Sequence, residues 1–127
     1  MLESKRVVCN GAALADGGQG IRFPLPEIDD RATGFVVRYQ GKVYAYVNKC
    51  AHVPIELDWN EGDFFDMTKY YLICSTHGAH YNPETGYCVM GPCKGRKLKQ
   101  IVVTEVNDEV WVDTTSIFSW FKRKRYN

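Results

Sequence analysis

Hydrophobic residues along this chain occur in short runs rather than at the helical intervals of three and four residues. The runs are rich in β-branched and aromatic residues, and Gly, Pro, Asn and Asp separate them, which is typical of strands joined by turns. We therefore predict strands at residues 5–9, 20–23, 34–39, 42–48, 70–74, 79–82, 86–89, 100–106 and 109–113. The only helical feature predicted is one amphipathic turn within residues 116–121.

Three pairs of these strands are separated by short turn sequences and are predicted to form hairpins. The turns are Gln40-Gly41, Pro83-Glu84-Thr85 and Asn107-Asp108. A chain of short antiparallel strands without long helices favours an all-β fold. A small sandwich or barrel is the natural architecture.

Length and composition indicate one ordinary globular domain with a short tail. The chain has 127 residues, of which 45% are hydrophobic and 24% charged. We predict a domain over residues 1–115 and an aromatic and basic tail over residues 116–127. The tail holds the four cations of residues 122–125, so the rest of a chain with net charge +1 carries −3. No basic face is expected outside the tail, and nucleic acid is not a predicted partner.

The N-terminus lacks the apolar run of a signal peptide, and no later stretch is long enough to span a membrane. We therefore expect a cytoplasmic protein. Five cysteines are present, and a disulfide framework is not expected in a reducing compartment. Metal binding is the first alternative explanation for some of them.

Two short Cys and His pairs carry the chemistry of the chain. They are Cys50-Ala51-His52 and Cys74-Ser75-Thr76-His77, and 21 residues separate them. Each pair follows a predicted strand, so two loops could present one thiolate and one imidazole each to a shared centre. Structural zinc also accepts a set of two Cys and two His ligands, so these residues alone leave zinc open.

The sequence around the pairs resembles the Rieske iron–sulfur family. The family signature is Cys-x-His followed by Cys-x-x-His-Gly, and the chain matches it with Cys50, His52, Cys74, His77 and Gly78. The likeness continues through Tyr81, Thr85-Gly86 and Gly91-Pro92, which resembles the proline loop that covers the cluster. It favours iron over zinc and implies the Rieske fold, in which two loops at one tip of the antiparallel sheets bind a [2Fe–2S] cluster.

The resemblance also implies a role for each residue. Cys50 and Cys74 would bind the inner iron, and His52 and His77 the outer iron. With neutral imidazoles the oxidised centre has no net charge, so it accepts an electron more readily than a four-cysteine centre does. Tyr81 would donate to a ligand sulfur, and Gly78 and Pro92 would shape the loops.

Departures from the high-potential members of the family narrow the type. Those members carry a disulfide between the two cluster loops, where this chain has Ile55 and Thr76, and a serine where it has Ala79. Losing one hydrogen-bond donor and keeping Tyr81 predicts a low to middling potential within the roughly −150 to +300 mV range of Rieske centres. This is the profile of a soluble Rieske ferredoxin.

The other chemically active residues are given structural interpretations. His80 cannot complete a mononuclear iron site once His52 and His77 are committed, so we interpret it as an exposed strand residue. Cys88 and Cys93 could pair as a redox-sensitive disulfide, but packed thiols are favoured. Cys9 is assigned to the core.

The 21-residue spacer is long and mixes acidic with aromatic residues over residues 58–66. It could form a docking surface, but we favour a surface loop whose aromatics cover the domain's own core. Glu56 and Asp58 are expected in a solvated loop. The basic residues 122–125, with Trp120 and Phe121, could dock a partner or an anionic membrane, although a frayed terminus is as good an interpretation.

These observations predict a monomeric carrier of single electrons rather than an enzyme. The expected donor is a flavin reductase, and the expected acceptor is an oxygenase or a similar oxidoreductase. Two alternatives remain open: a small Rieske subunit of a larger oxidoreductase resembling nitrite reductase, and a cluster-based redox sensor.

Overall fold

The computed structural model of the chain describes residues 4–51 and 54–117. It is an all-β structure with one short 3-10 turn, Gly11–Ala13, and a helical turn that starts at residues 115–117. The remainder of the predicted turn at 116–121 and the basic residues 122–125 lie outside the described residues. The strands, numbered in chain order, are β1 (Lys5–Asn10), β2 (Ile21–Pro24), β3 (Thr33–Tyr39), β4 (Lys42–Val47), β5 (Leu72–Ile73), β6 (His80–Tyr81), β7 (Cys88–Met90), β8 (Gln100–Val106) and β9 (Glu109–Asp113).

Two antiparallel sheets are built from these strands. The larger sheet has six strands in the order β1-β9-β8-β4-β3-β2, and it curves into a nearly closed barrel. The smaller sheet has three strands in the order β5-β6-β7. The predicted all-β class and antiparallel pairing are confirmed. Among the described residues, no helix is long and apolar enough to cross a membrane.

Both predicted two-residue hairpin turns are confirmed. Gln40 and Gly41 have φ angles of 50° and 85°, and Asn107 and Asp108 have φ angles of 53° and 64°. Positive φ at both central residues is the geometry of the type I′ turn, whose twist matches that of the flanking strands. These turns set the registers Tyr39↔Lys42 and Val106↔Glu109.

Strand β3 contributes to two hydrophobic cores, one on each of its faces. Val36 packs with the residues that line the six-stranded sheet, whereas Phe35 and Val37 face the smaller sheet. Because successive strand side chains point to opposite faces, a strand covered on both sides reads as a continuous apolar run. The core that contains Phe35 and Val37 also contains Cys50 and Cys74, so the predicted site packs against the larger sheet.

The smaller sheet is less regular than expected. We predicted a strand over residues 70–74, but only Leu72–Ile73 is regular strand. Asp66 Oδ1 accepts hydrogen bonds from the backbone N–H groups of Thr68 and Lys69 and so holds a tight turn just before this strand. Tyr70 and Tyr71 consequently stay at the surface.

Candidate metal centre

Two loops that follow strands carry the predicted ligands. We define the first site loop as residues 49–57, after β4, and the second site loop as residues 74–79, between β5 and β6. The first loop closes on itself through a hydrogen bond of 2.7 Å from Cys50 N–H to the Ile55 carbonyl. The two loops are joined by a bond of 3.0 Å from Ser75 N–H to the Leu57 carbonyl. Backbone contacts therefore fix the position of Cys50 relative to the second site loop.

The second site loop is a tight turn that requires a glycine. Gly78 N–H donates to the Cys74 carbonyl at 2.8 Å, and Cys74 N–H donates to the Ala79 carbonyl at 2.9 Å. Gly78 has a φ of 71°, in the left-handed region that side chains disfavour. The glycine of the Cys-x-x-His-Gly motif thus allows the chain to return into β6 directly after His77.

The thiols of Cys50 and Cys74 are buried next to each other. Their residues are 4% and 0% exposed, and the two thiols lie within hydrogen-bonding reach. Burial raises the pKa of the Cys74 thiol, while the N–H groups of His77 and Thr76, which point at its sulfur, act in the opposite direction. Two adjacent thiols in an apolar core are poor isolated acids, but a metal ion stabilises their thiolate forms.

Tyr81 contacts the first of these thiols. Its hydroxyl lies 3.2 Å from Cys50 Sγ and accepts a hydrogen bond of 3.0 Å from Ala51 N–H. A metal-bound thiolate can only accept a hydrogen bond, so the phenolic hydroxyl donates to sulfur when Cys50 binds a metal. Tyr81 is fully buried, and its surroundings raise its pKa, with desolvation as the main cause. It therefore stays a neutral donor.

Of the two predicted histidine ligands, one lies within the described residues. The His77 residue is exposed at the second site loop, and its own backbone N–H is one of the two that face the Cys74 sulfur. His52 lies outside the described residues. The structure thus brings Cys50, Cys74 and Tyr81 together, and the ligand roles of the two cysteines and two histidines stay predictions.

The proline loop closes on the second site loop. Gly91 has a φ of 102°, and a Cβ atom built on it would lie 2.9 Å from the Ala79 Cα. Only glycine permits this approach of two backbones. Pro92, the next residue, is exposed.

A disulfide joins Cys88 and Cys93. The expectation that these residues are packed thiols is therefore wrong, whereas Cys9, Cys50 and Cys74 take no part in a disulfide among the described residues. Both half-cystines are buried in the same core as Cys50 and Cys74, and the bond closes the segment that contains Gly91-Pro92. The sequence signal was present, since the two cysteines flank the proline loop, but the argument from a reducing compartment outweighed it. Cys9, assigned to the core, is only partly buried and packs against the core of the larger sheet.

A buried polar cluster that was not predicted from the sequence, Arg22–Asp58–Asn48, lies at the base of the first site loop. We expected Asp58 in a solvated loop, but its side chain is fully buried and accepts from Arg22 Nε at 2.7 Å and Asn48 Nδ2 at 3.0 Å. Asn48 Oδ1 in turn accepts from Leu57 N–H, near the other end of the loop. Glu56 is exposed at the surface, as expected. Sequence alone could not pair Arg22 with Asp58, because 36 residues separate them.

His80 also differs from its predicted exposed state. Its ring is half-buried, with Nδ1 2.8 Å from the Gly78 carbonyl and Nε2 3.5 Å from Asp66 Oδ2. It therefore links the second site loop to the spacer.

The prediction that aromatic residues of the spacer cover the domain's own core is confirmed for the phenylalanines. Phe64 is fully buried and stacks on Phe35 with ring centroids 3.9 Å apart, and Phe65 packs against the same core. Trp59 does not cover the core, because 80% of its surface is exposed.

The donor set suits a [2Fe–2S] centre. Two adjacent buried thiols could serve as sulfur ligands, an exposed imidazole follows one of them, and a buried tyrosine hydroxyl contacts the sulfur of the other. Sulfur and imidazole nitrogen on two irons are the ligands of a Rieske centre.

Comparisons with known proteins agree with this geometry. The family model described as Rieske [2Fe-2S] domain matches residues 6–112. No curated protein matches the chain in sequence. Many solved structures share its fold. One is the ferredoxin of carbazole 1,9a-dioxygenase from Nocardioides aromaticivorans IC177, with 23% identity, a TM-score of 0.69 and coverage of 87% of this chain and 98% of that chain.

Two further structures are complexes. One is the complex of reduced oxygenase and oxidised ferredoxin in carbazole 1,9a-dioxygenase, with 23% identity, a TM-score of 0.70 and coverage of 88% and 94% of the two chains. The other is a fluorene-bound oxygenase and ferredoxin complex of the same dioxygenase, with 21% identity and a TM-score of 0.69. The match there covers 86% of this chain and 28% of that chain.

The fold and the paired buried thiols are those of an iron–sulfur protein. The chain belongs to the Rieske [2Fe–2S] family, because the family model spans most of its length. It therefore carries a Rieske-type [2Fe–2S] cluster rather than structural zinc.

Proposed function

We propose that the chain is a Rieske ferredoxin that takes single electrons from a flavin-dependent reductase and passes them to an oxygenase or a similar acceptor. The observation that carries this proposal is the pair of buried thiols, Cys50 and Cys74, with Tyr81 directed to one of them, inside the region matched by the family. The ferredoxins that share the fold are components of carbazole 1,9a-dioxygenase, and this supports an oxygenase as the acceptor.

We assign four ligands to the cluster. Cys50 and Cys74 would bind the inner iron, and His52 and His77 the outer iron, in accordance with the family pattern. The bound cluster supplies a site that accepts and releases one electron at a time. The exposed position of His77 supports an outer iron near the surface, where a partner can approach.

The protein itself contributes rigidity and a controlled environment. The backbone bonds within and between the site loops hold the ligand positions, and the Arg22–Asp58–Asn48 cluster anchors the first loop. A rigid site lowers the reorganisation that accompanies a change of charge, which is the general benefit of a preorganised environment. The neutral Tyr81 hydroxyl favours the more negative, reduced state by donating to Cys50 sulfur.

The proposed function is tested by asking whether the protein transfers single electrons and catalyses no other reaction. Anaerobic protein with intact iron and sulfide should take up one electron per cluster from a flavin-dependent ferredoxin reductase and NADH, and should release it to a Rieske oxygenase. It should turn over no substrate by itself. Uptake of no electron would refute the proposal. Copurification of the native protein in fixed ratio with a large flavin or haem subunit would instead favour the alternative that the chain is a small Rieske subunit of a larger oxidoreductase.

A further inference from the structure

A groove with a strongly basic lining runs beside the first site loop. Cys50, Ala51 and Ile55 of that loop form part of its wall. Five cations and two acids line the same groove: Arg31, Lys49, Arg96, Lys97 and Lys99, with Asp29 and Glu56. The lining thus has a formal charge of +3. A concave surface of one sign concentrates the electric field and attracts ligands of the opposite sign.

Both acids of the groove are engaged inside the chain. Asp29 Oδ1 accepts hydrogen bonds of 2.8 Å from the backbone N–H groups of Arg31 and Ala32. Glu56 accepts a hydrogen bond of 2.9 Å from Thr33 Oγ1 and lies 3.6 Å from Arg22, a cation outside the groove lining. Neither carboxylate therefore neutralises the groove cations directly.

Two of the cations, in contrast, contact uncharged groups. Arg96 Nη1 lies 3.3 Å from the Ala51 carbonyl, and Lys97 Nζ lies 5.3 Å from the centroid of the Tyr87 ring. Within residues 4–51 and 54–117, four of the five cations form no salt bridge: Arg31, Lys49, Arg96 and Lys97. Their charge remains available to an external anion.

The sequence contains a signal for this groove that the overall charge conceals. Residues 85–104 hold four cations, at positions 94, 96, 97 and 99, and no acid. Residues 50–68 hold five acids and neither lysine nor arginine. Because the two segments nearly cancel, residues 1–115 were expected to lack a basic face. The fold separates the charges, and that expectation is wrong.

We propose that this groove is the docking surface for an acidic patch on a redox protein partner. The inference rests on the proposed function, since electron transfer requires the partner to approach the metal centre, and the groove shares its wall with the Cys50 loop. A protein partner is favoured over nucleic acid because only a redox protein gains from contact at that wall. Complementary charge chiefly raises the rate of encounter and fixes the orientation of the partners.

Two lysines near opposite ends of β4 provide a matched test. Lys49 lies in the groove, whereas Lys42 is at the opposite end of the same strand, and both are exposed. The variants are Lys49→Glu and Lys42→Glu, with Arg31→Glu as a second groove variant far in sequence from any proposed ligand. Each variant is purified with its cluster, and an unchanged visible spectrum shows that the site is intact.

Binding of a fluorescein-labelled decaglutamate peptide is measured by anisotropy at several salt concentrations, beside a DNA duplex of equal charge. We expect the peptide to bind more weakly at higher salt. We also expect Lys49→Glu and Arg31→Glu to weaken it about threefold or more, and Lys42→Glu to have a smaller effect. Absence of peptide binding, equal effects of the three variants, or tighter binding of DNA in the groove would each overturn the proposal.

Oxidation of the reduced protein by hexacyanoferrate(III) separates this inference from the proposed function. One electron passes from the protein to the complex, which becomes hexacyanoferrate(II). The rate should fall in the two groove variants more than in Lys42→Glu, because the oxidant is an anion. A protein that cannot be reduced refutes the proposed function, whereas a reducible protein with equal rates in all variants refutes only the docking surface.

Discussion

Two buried tyrosines of the same core have different partners, and the difference assigns one of them to the metal centre. The Tyr81 hydroxyl lies between Ala51 N–H and Cys50 Sγ. The Tyr46 hydroxyl donates to the Pro83 carbonyl at 2.7 Å. Pro83 follows β6 in the sequence, whereas both thiols precede that strand. Burial is the main cause that raises the pKa of both. Both are therefore neutral donors, but only one faces sulfur.

Replacing Tyr81→Phe should lower the reduction potential of the cluster. A hydrogen bond to a ligand sulfur is stronger in the more negative reduced state, so its loss penalises reduction. A difference of about 1 kcal/mol between the two states corresponds to about 40 mV for one electron. Redox titration followed by EPR measures the shift. The control, Tyr46→Phe, should cost about 1–3 kcal/mol of stability by leaving a carbonyl unpaired, and should leave the potential unchanged.

Asp58 is a second residue whose environment makes a prediction about pH. Burial alone would raise the pKa of its carboxyl, but hydrogen bonds from Arg22, Asn48 and Gly62 N–H outweigh burial and hold the pKa below its usual value. A depressed folded-state pKa stabilises the protein above the unfolded pKa of about 4 and loses that contribution as the pH falls further. Stability should therefore decline as the pH drops below about 4.

The variant Asp58→Asn should flatten this acid decline and lower stability at pH 7 by about 2 kcal/mol. The loss is smaller than the roughly 3–5 kcal/mol of a fully buried pair, because Arg22 remains partly exposed. Urea unfolding between pH 3 and pH 7 measures both effects. Asp63→Asn, an exposed acid of the same spacer, should change stability by less than about 0.5 kcal/mol. Equal losses in the two variants would contradict the role given to Asp58.

At the scale of elements, the proline loop depends on close contact with the second site loop. Gly91 and Gly95 both have left-handed φ angles, 102° and 91°. A Cβ atom on Gly91 would meet the Ala79 backbone at 2.9 Å, whereas a Cβ on Gly95 would meet nothing within 4 Å. The two glycines therefore separate the cost of backbone conformation from the cost of packing.

Gly95→Ala should lower the free energy of unfolding by about 1–2 kcal/mol, the cost of a left-handed alanine. Gly91→Ala should lose at least about 1 kcal/mol more, because two backbones must move apart. Denaturant unfolding of both variants measures the difference, and cluster release by a chelator should be faster in Gly91→Ala. The same stability in both variants would show that the loops are not in contact.

The disulfide Cys88–Cys93 should stabilise the same loop. Closing a segment of this length contributes about 2 kcal/mol through the entropy of the unfolded chain. The double variant Cys88→Ser, Cys93→Ser should lose this amount. In the denatured, oxidised, cluster-free protein, thiol titration should find three free thiols of the five cysteines. Five free thiols would show that the bond does not form.

For the whole molecule, local patterns predicted the elements and family motifs predicted the site. The turns at Gln40-Gly41 and Asn107-Asp108 were predictable because their chemistry is local. The burial of Asp58 and the basic groove were not, because each depends on residues far apart in sequence. Trp59 stays exposed although its neighbours pack, which no local pattern distinguishes.

The proposed function depends on the four proposed ligands of the cluster, two cysteines and two histidines. Electron spin-echo envelope modulation of the reduced protein measures the nitrogen atoms bound to the paramagnetic centre. Two imidazole nitrogens are expected in the natural chain, with His52→Ala and His77→Ala each losing the native spectrum, while His80→Ala retains both couplings. A cluster without imidazole coupling, or couplings that survive replacement of His52 or His77, would contradict this expectation.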